Sequence, residues 1–473
     1  MSETESQQKR TPGGGVHCAT PWEQWDREFL WHPFTPMKPW CEEKEIVVIE
    51  RGEREFLIDT RGRRYIDGVS SLWCNVHGHC VPELDEAVRG QLGKIAHTTL
   101  LGLTNPPAAE LAKRLIEMAR AEGVRMDRVF YSDDGSTAVE VSCKMAYQYW
   151  RNVGASPGKR ERFIALAGAY HGDTVGAVSV GGIPAFHQAF RGLCFAADFV
   201  PAPERMDHGA ASLSRLEGLL AAAADDYAAV IVEPLIQGAG GMLFHPEGFL
   251  RQVRELAARR NVLLIADEVM TGFGRTGKML ACAHEGVTPD LLCLSKGLTA
   301  GYMPLGATLA TRKIFDAFYA DPREGKTFFH GHTFTGHPLA CAVAIASLDL
   351  FEKNRVLEHA RHLEPVLAEC ISEARGRAFV MDARCRGLVG AIDLAENVAD
   401  GWKRFPSHWR VGGELCLRMR DSGLMMRPLA DTLVIMPPLA IREENLRRLC
   451  RGVIESLGWI GEIVARKKRE ESR

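Results

Sequence analysis

The chain contains no C-x-x-C pair and no apolar run near the roughly 18 residues that would span a membrane. It also has almost no net charge. Each absence excludes something. The 13 cysteines are scattered and odd in number, so reduced thiols in a cytoplasmic setting are expected instead of a disulfide framework. A net charge of −2 gives neither nucleic acid nor an anionic membrane a reason to bind. No internal repeat is present. The opening, MSETESQQKRTPGGGVHCAT, is polar and Gly-rich and has no apolar signal core, so a disordered tail is expected over residues 1–20. Nor does a G-x-G-x-x-G fingerprint follow the first apolar strand, where SDDGSTAVE stands. That argues against a nicotinamide-dependent oxidoreductase.

What is there is the composition of a globular enzyme, 46% hydrophobic and 25% charged over 473 residues. RVFYS (128–132), RFIAL (162–166), AAVIVE (228–233), VLLIAD (262–267) and DLLCLS (290–295) read as buried parallel strands. Amphipathic stretches alternate with them, such as STAVEVSCKMAYQYW (136–150) and EGFLRQVRELAARR (247–260). This rhythm predicts an α/β fold with a mostly parallel, doubly covered sheet, and ligands at the carboxyl ends of its strands. After residue 351 the pattern changes to helices and short strands, and residues 45–68 read as hairpin strands. A small α+β domain from both chain ends is expected, with residues 21–71 and 352–473 flanking a large domain over 72–351.

SSLWCNVHGHC (70–80) packs Cys74, His77, His79 and Cys80 into eleven residues. Structural zinc wants ligand pairs two to four residues apart, joined by a longer loop. Here His79 and Cys80 are adjacent and would point opposite ways in extended chain. No metal is expected.

Three strand ends carry chemistry. Gly135 and Ser136 open a helix after the first strand. There they make either an anion cradle or an ordinary capped turn. Asp267 ends VLLIAD, and Lys296 follows DLLCLS. An acid of this kind often caps a turn, and a lysine is usually solvated. A lysine just past a buried strand is different, because burial lowers its pKa and makes it a nucleophile toward carbonyls. A carboxylate facing such a lysine is the pairing that pyridoxal phosphate requires.

DEVMTGFGRTG (267–277), SKG (295–297), AYHGDT (169–174) and EPLIQGAGGM (233–242) together resemble the class III pyridoxal-phosphate aminotransferases, and the likeness runs from about residue 25 to 460. WHPFTPM, DGVSSLWCNVHGH, GAYHGDTVGAVSV, HGHTFTGHPLACA and MMRPLADTLVIMPP are similar to the branch that aminates 8-amino-7-oxononanoate for biotin synthesis. The resemblance implies fold type I and a homodimer with shared active sites. It implies that Lys296 bonds the cofactor and shuttles protons, and that Asp267 pairs with its pyridine nitrogen. Gly135 and Ser136 would hold its phosphate, with Thr333 and the backbone of His332 reaching the phosphate of the neighbouring subunit. Tyr170 would stack on the ring and Trp73 would wall the substrate pocket. Arg427 would clamp the substrate carboxylate, with Gly331 and Arg275 nearby. Phe34 and Leu72 stand where members using S-adenosylmethionine as amino donor carry Tyr and Trp. A branch using L-lysine carries Phe and a small aliphatic residue, so both donors stay open. Another class III transaminase, acting on an ω-amino acid or a diamine, is the alternative.

Overall fold

The computed structural model describes residues 20–42 and 45–472. The tail expected over 1–20 lies outside them, except for Thr20. The chain divides into two units, one of residues up to Arg51 with Ile58–Arg64, the other of Gly52–Leu57 with Tyr65 onward.

The first unit holds the helix Pro21–Phe29, capped by Thr20, whose hydroxyl accepts from the Glu23 amide. Arg61 bridges two carboxylates in it, Glu23 at 2.6 Å and Glu45 at 2.5 Å.

The second unit is built on a seven-stranded sheet. Its spatial order is Arg128–Ser132, Gly306–Ala310, Leu291–Leu294, Leu263–Asp267, Tyr227–Val232, Arg162–Leu166 and Ala197–Val200. All neighbours pair in parallel except Gly306–Ala310, which runs antiparallel to both of its own. The five expected strands are present. Gly306–Ala310 and Ala197–Val200 are additional. Every residue of Tyr227–Val232 and Leu263–Asp267 is buried, as layers on both faces require. The helix Phe249–Arg259 shows how a layer is held. Phe249, Leu250, Val253, Leu256 and Ala257 form its single buried stripe. Each large member contributes about 1.5–3 kcal/mol of burial.

A second sheet, antiparallel, joins Val380–Arg386, Val389–Leu394, Thr432–Ile435 and Pro428–Leu429. Separately, Ile66 and Asp67 pair in parallel with Leu424 and Met425, which brings early and late chain together within this unit. We propose the large domain around the first sheet and the small domain around the second. The helix Pro338–Lys353 runs through residue 351, so a break fits better at Asn354 and Arg355, where Arg355 turns left-handed with φ +50°. Among the described residues no helix is long and apolar enough to cross a membrane.

Candidate active site

The carboxyl ends of the parallel strands open into a cavity of about 610 Å³, within the usual range of small-molecule sites. Asp267, Lys296, Gly135, Ser136, Tyr170 and Trp73 all line it. The register explains the first two. Asp267 pairs with Cys293 on the neighbouring strand, and Lys296 follows three residues later. Lys296 has φ +42°, a conformation a non-glycine residue holds only when its surroundings over-determine it. Burial pushes its ammonium below the ordinary lysine range, against the opposing pull of Asp267 and Glu233. Its Nζ makes no hydrogen bond or ion pair among the described residues. It lies 4.7 Å from the centroid of the Trp73 ring.

Asp267 is 4% exposed. One carboxylate oxygen accepts from Nδ1 of the buried His171 at 2.7 Å and the other from the Val269 amide at 3.0 Å. His171 was not among the expected site residues, although it directly follows Tyr170 in AYHGDT. Glu233 was missed as well. It follows the strand Tyr227–Val232, an acid at a strand end just as Asp267 is. It accepts from the amides of Tyr170 at 3.0 Å and Gly238 at 2.8 Å, and burial pushes its carboxyl up to about 7. The Tyr170 hydroxyl donates to Asp173 at 2.7 Å, and burial first, then that carboxylate, raises its phenol above the ordinary range.

Asp134 caps the helix Gly135–Asn152 through the Thr137 amide at 2.8 Å, with Thr137 returning the bond. The amides of Gly135 and Ser136 keep no partner among the described residues, so the positive end of the helix is open to an anion. The loop carrying His171 crosses this end at Gly172, with φ +122°. A Cβ there would stand 2.2 Å from Ser136 Oγ, so only glycine fits.

The opposite wall is irregular. Ser70, Ser71, Leu72 and Trp73 have φ of +51°, +48°, +75° and +71°, a left-handed turn of four non-glycine residues. Such backbone costs about 1–2 kcal/mol per residue. Leu72 is 45% exposed beside the buried Trp73. The four side chains weighed as zinc ligands go separate ways. His77 Nε2 meets Ser347 at 3.0 Å, His79 Nε2 meets Asp67 at 3.0 Å, Cys74 lines the cavity and Cys80 is exposed.

Arg275, Arg427, Gly331, His332 and Thr333 do not line this cavity. Arg275 is 1% exposed and donates to the carbonyls of Pro437 and Asn75, each at 2.6 Å; burial lowers its guanidinium to about 10. It acts as an internal brace here. Arg427 is exposed, with no hydrogen bond or ion pair among the described residues. Gly331 and His332 border a different cavity, Thr333 is exposed beside it, and His332 pairs with Asp133 at 3.2 Å. Phe34 belongs to the first unit and is 54% exposed.

A phosphorylated pyridine suits the residues that do converge. The buried acid, the unpartnered Lys296 Nζ and the open helix end are the groups such a molecule needs. A family model described as aminotransferase class III matches residues 40–457. The chain is a class III aminotransferase. As such it depends on pyridoxal phosphate and has the fold type I architecture. It is similar to adenosylmethionine-8-amino-7-oxononanoate aminotransferase of Geobacter sulfurreducens, 50% identical over 92% of this chain and 96% of that protein. The crystal structure of the enzyme of that name from Methanocaldococcus jannaschii superposes with a TM-score of 0.88. It is 39% identical, over 92% of this chain and 98% of that one. An ω-transaminase from Pseudomonas jessenii, in complex with PMP, superposes with a TM-score of 0.86 at 28% identity, over 93% of this chain and 99% of that one.

Proposed function

We propose that this aminotransferase transfers an amino group to 8-amino-7-oxononanoate, a step of biotin synthesis, with S-adenosylmethionine as donor. The observation that carries it is the 50% identity over 92% of the chain to an enzyme of that name. The ω-transaminase from Pseudomonas jessenii stands at 28%, which leaves the ω-amino-acid reading less favoured.

When bound, pyridoxal phosphate supplies the electron sink that lets a proton leave the substrate carbon. Lys296 would hold it through Nζ and move the proton at that atom, and Asp267, oriented by His171, would pair with its pyridine nitrogen. Gly135 and Ser136 would hold its phosphate on open amides, and Tyr170 would lie against its ring. The working unit is a cytoplasmic homodimer in which Thr333 and the His332 backbone serve the phosphate of the neighbouring subunit's site, and Gly331 lies near the substrate. Arg427 takes the substrate carboxylate, and its lack of any partner among the described residues supports that role. L-lysine is the second donor reading, favoured by Phe34 and Leu72 in place of Tyr and Trp.

Purified enzyme incubated with 8-amino-7-oxononanoate and each donor in turn tests the proposal. Diamine formed with S-adenosylmethionine alone is expected. Diamine formed with L-lysine alone transfers the assignment to the second donor, and none with either sinks the substrate.

A further inference from the structure

We propose that Asp67 is a positioning residue for Lys296, acting through Trp73; the proposal rests on reading Lys296 as the cofactor lysine. Its starting point is the left-handed turn Ser70–Trp73. L-residues enter that region singly as a rule, and neither Leu72 nor Trp73 has a short polar group to hold itself there. The neighbours must hold it.

Two clamps do so. Asp67 is fully buried. One of its oxygens accepts from the Ser71 amide at 2.9 Å, the other from Ser71 Oγ at 2.7 Å and His79 Nε2 at 3.0 Å. His79 is held in turn by Asn75, whose Nδ2 lies 3.1 Å from Nδ1 and 3.3 Å from Nε2 of the ring. Asn75 Oδ1 accepts from the Gly78 amide at 2.7 Å. The second clamp is Ser70 Oγ, which donates to the Met436 carbonyl at 2.6 Å.

The product of this bracing is one placement, the Trp73 ring face 4.7 Å from Lys296 Nζ. A desolvated ammonium on an indole face is held by the ring quadrupole. The face therefore stabilises the charged amine in a pocket whose dryness opposes charge. A right-handed turn would send the side chain of residue 73 elsewhere. Asp67 and His79 thus act on the reactive amine without touching it, and His79 gains a role that zinc spacing denied it.

Reductive methylation of the full-length, cofactor-free protein with formaldehyde and cyanoborohydride across pH tests this, with Lys296 modification read by peptide mass spectrometry. Only the free amine reacts, so the midpoint of the profile reports how well the ammonium is held. Asp67→Asn presents an amide donor to the Ser71 hydroxyl and to His79. The midpoint should move down by about 0.5 pH or more. Trp73→Leu should do the same, Trp73→Phe should stay near wild type, and the double change should move it no further than either single one. A wild-type profile in Asp67→Asn, or shifts that add in the double variant, would overturn the proposal. If Asp67→Asn does not fold, Ser71→Ala replaces it. That change removes the hydroxyl link and keeps the amide link, so a smaller downward move is expected and an unchanged midpoint overturns the idea. Borohydride trapping of pyridoxal phosphate in the wild type tests the underlying reading separately. An adduct away from Lys296 sinks that reading whatever the methylation profile shows.

Discussion

The two walls of the cavity are made on different principles. One is the edge of a parallel sheet, where Asp267 and Lys296 emerge from adjacent buried strands in fixed register. The other is the left-handed turn Ser70–Trp73, held by Asp67, Ser70 and His79. On the first wall regular structure delivers chemical groups, and each strand end is a position of known direction. On the second no regular element exists, and buried polar groups offset strained backbone to aim a single ring. The sheet wall should accordingly fail through chemistry when a residue changes, and the turn wall through placement.

The largest effect should come from the sheet wall. Asp267→Asn keeps the shape and the contact with the Val269 amide but removes the charge that stabilises a protonated pyridine nitrogen. Turnover should fall by at least about a hundredfold while cofactor binding survives. Near-normal turnover would show that the acid only braces His171.

Glu233 sharpens the same contrast through pH. Its carboxyl is raised from 4.5 to about 7 by burial, so between those values the folded protein binds a proton that the unfolded chain has released. Stability from this group is therefore full below about 4.5 and is lost as pH rises through about 7, by up to roughly 3 kcal/mol. Glu233→Gln should flatten that fall in denaturant titrations between pH 5 and 8. An unchanged slope would assign the pH dependence to another buried acid, such as Glu268, also raised to about 7 by burial.

The sheet wall was legible in the sequence because its signals are local. Continuous apolar runs marked the strands, and a polar residue at a run's end marked the pocket, which is how Asp267 and Lys296 were found. Glu233 obeyed the same rule and was passed over. His171 was harder, since its role comes from a contact across 96 positions. The resemblance implied Trp73 as a pocket wall, but the backbone conformation of that wall was illegible for a physical reason. SSLW contains no glycine, and nothing in those residues favours positive φ; the conformation is imposed by Asp67 and by Met436, 366 residues from Ser70. The two carbonyls that hold Arg275 are likewise distant in the chain, and no spacing reveals them.

Arg427 lies on neither wall, and it tests whether substrate recognition can be separated from both. An exposed guanidinium with no partner among the described residues is suited to a carboxylate arriving from solvent. Arg427→Ala should raise KM for the oxononanoate about tenfold or more, since a bidentate charge-assisted contact is worth roughly 1.5–3 kcal/mol. The half-reaction with the amino donor should keep its rate. Equal loss in both half-reactions would make Arg427 structural, or a group that serves both substrates.

The smallest effect concerns the donor, and it asks whether the turn wall selects substrates as well as placing Trp73. Leu72 is half-exposed on that turn, and Phe34 is the other position that the family pattern ties to the donor. S-adenosylmethionine brings a sulfonium cation, a ribose and an adenine, which favour stacking surface and polar partners. Lysine is a slim chain whose methylenes need only apolar flanks. Phe34→Tyr combined with Leu72→Trp should therefore raise the ratio of S-adenosylmethionine to lysine rates by about twofold to thirtyfold, the range of one exposed to well-desolvated cation–π contact. Single-turnover spectra with each donor measure that ratio directly. Because Leu72 holds φ +75°, the new indole is aimed by the turn itself. Leu72→Trp should then lose its effect in an Asp67→Asn background, whereas Phe34→Tyr should keep its own. A Leu72→Trp effect that persists there would mean the donor is chosen by side-chain chemistry alone, with no contribution from the braced backbone beneath it.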